Sequence, residues 1–130
     1  MENKGYPVRR FEQSTRRYVQ TMRLRGDAAL IARYCEAHDE AHFWREIGEG
    51  IRSVGILEME IFIDGDVLVM VVEAPDNFRW DEAMARLATL PRQQEWEDHV
   101  AQWQDCSAGA TSAAKWSMMR RMFHLYDSTP

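Results

Sequence analysis

The chain has 130 residues, 45% of them hydrophobic and 28% charged, with a formal net charge of −5 at neutral pH. That length fits one domain with a sizeable core. No apolar run approaches the roughly 20 residues of a membrane helix, and the N-terminal "MENKGYPVRRFEQSTRR" has no hydrophobic stretch behind its charges that would read as a secretory signal.

Residues 1–25 carry Lys4, Arg9, Arg10, Arg16, Arg17, Arg23 and Arg25 against Glu2 and Glu12, a balance of +5, which leaves −10 for the remainder. A basic arm can touch nucleic acid, but no recognised module stands behind this one. No nucleic acid and no membrane is therefore expected as a partner, and residues 1–16 are expected to be a flexible basic tail. Cys35, in a helical pattern, and Cys106, in a polar loop, make no disulfide framework, so a reduced, cytoplasmic compartment is expected.

After the tail, "RYVQTMRL" (17–24) alternates as a strand, with Tyr18, Gln20, Met22 and Leu24 on one side. Asp27 is a plausible N-cap for the helix that follows. Leu30, Ile31, Tyr34, Cys35 and His38 recur on it at three- and four-residue spacing. The stripe then changes phase to Phe43, Ile47, Ile51 and Val54, so a break or kink is expected near residues 39–43.

"GILEMEIFIDGDVLVMVVE" reads as a hairpin, its two β-rich runs joined at Asp64-Gly65, a dipeptide favoured where a type I′ turn needs positive φ twice. "DNFRWDEAMARLATL" gives a helix with Trp80, Met84 and Leu87 on one face. Pro91 ends it and can open the next, whose stripe is Trp96, Val100 and Trp103. "DCSAGATSA" is a loop, and "KWSMMRRMFHLYD" a final strand.

The order is β-α-β-β-α-β, which predicts an α+β, ferredoxin-like fold of the dimeric α/β-barrel type: an antiparallel sheet with helices on one face. The domain is expected over 17–126, with 127–130 as a short C-terminal tail. The sheet's second face needs a cover, and a homodimer packed sheet to sheet supplies one.

"HDEAH" is close to the H-E-x-x-H of zinc metalloproteases. It departs in two ways: Asp39 follows His38, and Glu40 is displaced around the helix by about 100°. A catalytic zinc also needs a third protein ligand. His99 and His124 stand in no third-ligand motif, so no metal is expected. Tyr34 and His38, at i and i+4, share the inward face of the helix. Histidine exchanges protons near neutral pH, yet pattern alone favours a satisfied core histidine at His38.

"ALIARYCEAH" with Trp44 six residues after the histidine, "GILEMEIFIDGDVLVMVVE", "DNFRW", "QEWE" and "KWSMMRRMFHL", taken in this order and spacing, resemble the L-rhamnose and L-fucose mutarotase family from about residue 17 to 126. The resemblance implies a dimeric ferredoxin-like fold, a monosaccharide substrate and no cofactor. It makes His38 the proton donor and Tyr34 a sugar-binding residue. Further sugar contacts fall at Met59 on the second strand and at the pair Trp96-Glu97, and methionine with Trp-Glu is more similar to the L-fucose branch than to the L-rhamnose one. Prolines common in the family after the histidine and after the tryptophan are absent here, which implies a longer first helix and a new place for His42.

The implied reaction interconverts the α and β anomers of a 6-deoxy-L-hexose, L-fucose before L-rhamnose. One group takes the anomeric proton while another protonates the ring oxygen. Trp96 would offer a flat apolar face, Met59 would line the floor, and Glu97 would accept hydroxyl hydrogen bonds and is one candidate base. Trp96 also shares the stripe of Val100 and Trp103 and so fits core packing, as Trp44 and Trp80 do. Glu58 and Glu60, on the strand face opposite Met59, are expected to pair with arginines such as Arg23, Arg120 or Arg121. The rival classes are a cofactor-free monooxygenase of the same architecture, holding a flat aromatic substrate, and a non-catalytic ligand-binding dimer.

Overall fold

A computed structural model describes residues 4–126. Strand β1 (Thr15–Arg23) leads through helices α1 (Ala28–Ala37) and α2 (Arg45–Ser53) to a hairpin of β2 (Glu58–Asp64) and β3 (Val67–Pro75). Helices α3 (Trp80–Leu87), α4 (Gln93–Ala101) and the single turn α5 (Ser112–Lys115) then lead to β4 (Ser117–Met118). The strands form one antiparallel sheet in the order β2-β3-β1-β4. Both crossovers are helical, so the βαββαβ plan expected from the sequence holds, with each crossover helix divided.

Strand β3 alternates between half-buried and buried at every position from Val67 to Pro75. Leu68, Met70, Val72 and Ala74 face the helices, joined by Gln20 and Met22 from β1 and by Leu24 just beyond its end. Burying a Val or Leu side chain contributes roughly 1.5–3 kcal/mol, so this alternation fixes the register: a slip of one residue would turn the whole apolar set outward. On the other face Val19 pairs with Val71, Thr21 with Val69, and Phe62 with Val69. Among the described residues no helix covers that side. Tyr6, from the N-terminal segment, packs against Phe62 with centroids 5.8 Å apart and the rings tilted by 35°.

Several local expectations are corrected. The hairpin pairs Asp64 with Val67, so its two-residue loop is Gly65-Asp66 rather than Asp64-Gly65. Only Gly65 takes positive φ there (60°), the pattern of a II′ turn, and this spares Asp66 the left-handed conformation. Helix α4 starts two residues after Pro91 because Arg92 stands at φ 66°. Its guanidinium is held by Glu46 (2.8 Å) and Glu95 (3.0 Å) and lies 4.1 Å above the Trp44 ring.

The expected last strand shrinks to Ser117–Met118, extended by one bond from Met119 N–H to the Val19 carbonyl. Residues 112–115 of the expected loop and strand form α5 instead. Met122, Phe123, Leu125 and Tyr126 are all exposed. Arg23 pairs with Asp66 (3.3 Å) rather than with Glu58 or Glu60. Glu58 accepts its neighbour's Met59 N–H at 3.1 Å, and Glu60 lies beside the Tyr6 hydroxyl. The C-terminal tail expected at 127–130 lies outside the described residues. Among those described, no helix is long and apolar enough to cross a membrane.

Candidate active site

Asp27 starts α1 as expected: its carboxylate accepts from the N–H groups of Ala29 (2.9 Å) and Leu30 (3.2 Å). Counted from that cap, Tyr34 falls on the buried face, 4% exposed. The helix does not continue past the histidine. It ends at Ala37, with His38 as C-cap, and a turn at 39–43 leads to α2. His38 and His42 are thus not two positions of one helix. His42 donates to Asp39 (2.7 Å) in the exposed turn, whereas His38 turns inward. No group of three His, Cys, Asp or Glu side chains close enough to share a metal ion occurs among the described residues.

Inside, the His38 Nδ1–H donates to the Tyr34 carbonyl at 2.8 Å. A carbonyl can only accept, so the neutral ring carries its proton on Nδ1 and leaves Nε2 as a free lone pair. Burial pushes the His38 pKa below the usual histidine value; the Tyr34 carbonyl opposes this more weakly. The ring sits 4.4 Å from Tyr34 and edge-on to Trp96 at 5.3 Å. Burial raises the Tyr34 hydroxyl well above the ordinary phenol range. The Gln104 amide beside it opposes that, and the charge of Glu97 reinforces it. Tyr34 is therefore a neutral hydrogen-bonding group at any working pH.

Helix α4 supplies the facing wall. Trp96 is 5% exposed and packs edge-on against Phe43 and Trp44 as well as His38, so it serves the core and the site at once. Glu97, its neighbour, is 6% exposed. The Lys115 ammonium, fully buried, donates to Glu97 Oε1 (2.9 Å) and to the Glu97 carbonyl (2.6 Å), while Gln93 Nε2 donates to Glu97 Oε2 (2.7 Å). Buried charges persist only when paired and hydrogen-bonded, and this pair is both.

These walls enclose a cavity of about 450 Å³ between the helices and the sheet. Tyr34, His38, Met59, Trp96 and Glu97 all line it, so the five candidate residues named from the sequence meet at one place. Met59 with Ile61 and Met70 forms an apolar floor. Trp44 and Trp80 do not line it; Trp80 stacks on Tyr18 at 4.6 Å. Sequence reasoning missed Gln93, Gln104 and Lys115. Gln93 is legible afterwards as an i, i+4 partner of Glu97, but Lys115 is 18 residues away in a polar stretch and gave no signal.

The sequence profile of the L-rhamnose mutarotase family matches residues 17–125. An L-fucose mutarotase of Xanthomonas campestris is 34% identical over 115 residues, covering 88% of this chain and 92% of that protein. A Dictyostelium discoideum protein of the UPF0734 group is 32% identical over 88 residues, 67% of this chain and 69% of the other. Among solved structures, an L-rhamnose mutarotase of Formosa agariphila superposes with a TM-score of 0.64 at 19% identity, covering 85% of this chain and 99% of the other. A tetracenomycin F2 cyclase of Streptomyces glaucescens does so at 0.55 and 17%, covering 88% and 99%; at such identity both likenesses concern the fold. The profile match over the domain and the 34% relative together establish that the chain belongs to the L-rhamnose mutarotase family, a family of isomerases.

Proposed function

We propose that the protein interconverts the α and β anomers of a 6-deoxy-L-hexose, L-fucose in preference to L-rhamnose. The observation that carries the reading is the meeting of Tyr34, His38, Trp96 and Glu97 around one cavity of about 450 Å³ that has an apolar floor and an ionic wall. A pyranose has the same two characters, a C–H face and a rim of hydroxyls. The relative at 34% identity is an L-fucose mutarotase, which favours that sugar.

In the proposed mechanism Trp96 and Met59 hold the C–H face and the Tyr34 hydroxyl binds one oxygen of the sugar. The imidazolium form of His38, with a second proton on Nε2 beside the one held on Nδ1, gives the Nε2 proton to the ring oxygen as the C1–O bond breaks, and the bonding pair goes to that oxygen. Glu97 takes the proton of the anomeric hydroxyl, whose O–H pair becomes the aldehyde π bond. The aldehyde rotates about its C1–C2 bond, and both protons return as the ring closes on the other face. The buried ion pair disfavours the rival reading of a flat apolar aromatic substrate, because such a ligand would leave the acceptor positions of Glu97 not taken by Lys115 and Gln93 without a donor.

The open sheet face, with Val19, Val69, Val71 and Phe62, and the exposed Met122, Phe123 and Leu125 support a homodimer in this reading. The free cysteines Cys35 and Cys106 fit a reducing, cytoplasmic setting. The deciding experiment is saturation transfer between the anomeric protons of L-fucose and of L-rhamnose in the presence of catalytic protein. Faster exchange for L-fucose, lost in His38→Ala, is the expected result. No enhancement for either sugar by folded protein would overturn the proposal.

A further inference from the structure

We infer that Lys115 is a positioning residue for substrate binding: it holds the Glu97 carboxylate ionised and aimed into the cavity, where it accepts two hydroxyl hydrogen bonds from a neutral vicinal diol. This rests on the proposed sugar reading and names what that site selects.

The argument is one of lone pairs. An ionised carboxylate offers about four acceptor positions on two oxygens. In the free protein one on Oε1 is filled by Lys115 and one on Oε2 by Gln93. Lys115 also donates to the carbonyl of the same residue, so side chain and backbone of Glu97 are held by one ammonium. Glu97 lines the cavity, and its unfilled acceptor capacity serves whatever occupies that space. Two oxygens of one carboxylate match two adjacent hydroxyls, whereas an anionic group there would meet an acceptor and be rejected.

Lys115 is needed because nothing else offsets the charge. The other polar groups lining the cavity are Tyr34 and Cys35 from α1, His38 at its cap, Gln93 from α4, Gln104 and Ser112, and none of them is a fixed cation. The sheet contributes only Met59, Ile61, Ile63, Leu68 and Met70. Lys115 comes from the one-turn helix α5, capped by the Thr111 hydroxyl, which accepts from the Ala114 N–H at 3.3 Å. Without that cation the carboxylate is a buried charge with no counterion, a state that favours taking up a proton, and a protonated Glu97 has lost acceptor capacity.

The test is equilibrium binding of L-fucose and L-rhamnose from pH 5 to 9, followed by tryptophan fluorescence, in wild type, Lys115→Met, Glu97→Gln and the double variant. Lys115→Met should lose affinity about tenfold or more at pH 6 and recover most of it by pH 9. Glu97→Gln should lose a similar factor at every pH, and adding Lys115→Met to it should cost nothing further. The double variant buries no charge, so it remains informative even where Lys115→Met fails to fold; its binding as tightly as wild type would overturn the inference. A loss in Lys115→Met that is the same at every pH would overturn it too, since a purely structural role predicts that. Wild type that binds the sugars without accelerating anomer exchange would sink the proposed reaction while leaving this inference to stand on the four-protein comparison. Wild type that binds neither sugar would overturn both.

Discussion

The two walls of the cavity reach their chemistry by opposite means. On the α1 side Tyr34 and His38 carry no full charge at neutral pH, and burial moves their pKa values away from neutrality: histidine down, tyrosine up. On the α4–α5 side Glu97 and Lys115 are as deeply buried but charged, because each is the other's counterion. Desolvation suffices for a group that must change protonation state during a reaction. A group that must be ionised before substrate arrives in the same dry space needs a partner. One cavity can thus hold a neutral proton-exchanging ring on one wall and an ionised acceptor on the other.

The sharpest break of that contrast is loss of the exchanging side. His38→Ala should reduce enzymatic anomer exchange by about 10²- to 10⁴-fold, the range for one general acid or base, measured at a temperature where a thermal unfolding curve shows the variant folded. The pH profile adds the sign. If the imidazolium is the donor, its fraction falls above the depressed pKa of His38, so the enzymatic rate should fall as pH rises from 6 to 8. A rate that instead climbs over that range would assign Nε2 the part of base.

Breaking the ionic wall should show in stability. Lys115→Met leaves a buried carboxylate uncompensated, a loss of about 3–5 kcal/mol. The double variant with Glu97→Gln removes both charges and should recover most of it. Chemical denaturation of the three proteins measures this directly, and additive losses would show that the two side chains do not act as a pair.

The same division explains what was legible in the sequence. The α1 wall is local: the Asp27 cap sets the helix phase, and four-residue spacing brings Tyr34 and His38 to one face. The phase break near residues 39–43 was likewise legible as a shift in the apolar stripe, and it falls where α1 gives way to a turn. Trp96-Glu97 entered through the family resemblance rather than through spacing, which favoured core packing for Trp96; the structure gives it both parts. The ionic wall was not legible because its closing contact is tertiary. Lys115 meets Glu97 across a loop whose course depends on how α4 and α5 pack. The shortened last strand fails for a related reason: "KWSMMRRMFHLYD" has strand-like composition, but past Met119 the described residues make no further bonds to β1.

A smaller effect tests the footing of the α1 wall. Asp27→Ala removes a cap that accepts two backbone N–H groups, and should cost about 1 kcal/mol. The loss should appear in the denaturation midpoint with little change in slope. Because the cap sets the helix phase without touching the cavity, exchange per folded molecule should stay near wild type.

The smallest effect separates the two histidines of "HDEAH". Burial depresses the His38 pKa, while the Asp39 carboxylate raises that of His42 in the exposed turn. As pH falls the unfolded chain therefore protonates at position 38 before the folded one does. The His38 contribution to stability is complete above about pH 6.5, the unperturbed histidine value, and is lost as pH falls through the folded pKa. At His42 the sign reverses: its contribution is present below about pH 6.5 and lost as pH rises through the raised folded pKa. Solvent screening keeps that second contribution slight. Imidazole NMR titration should find one histidine on each side of the unperturbed value, and His42→Ala should remove the upper titration without altering anomer exchange. Two superimposed titrations would mean that His38 is wetter than its place between Tyr34 and Trp96 requires, and the desolvated half of the contrast would fall with it.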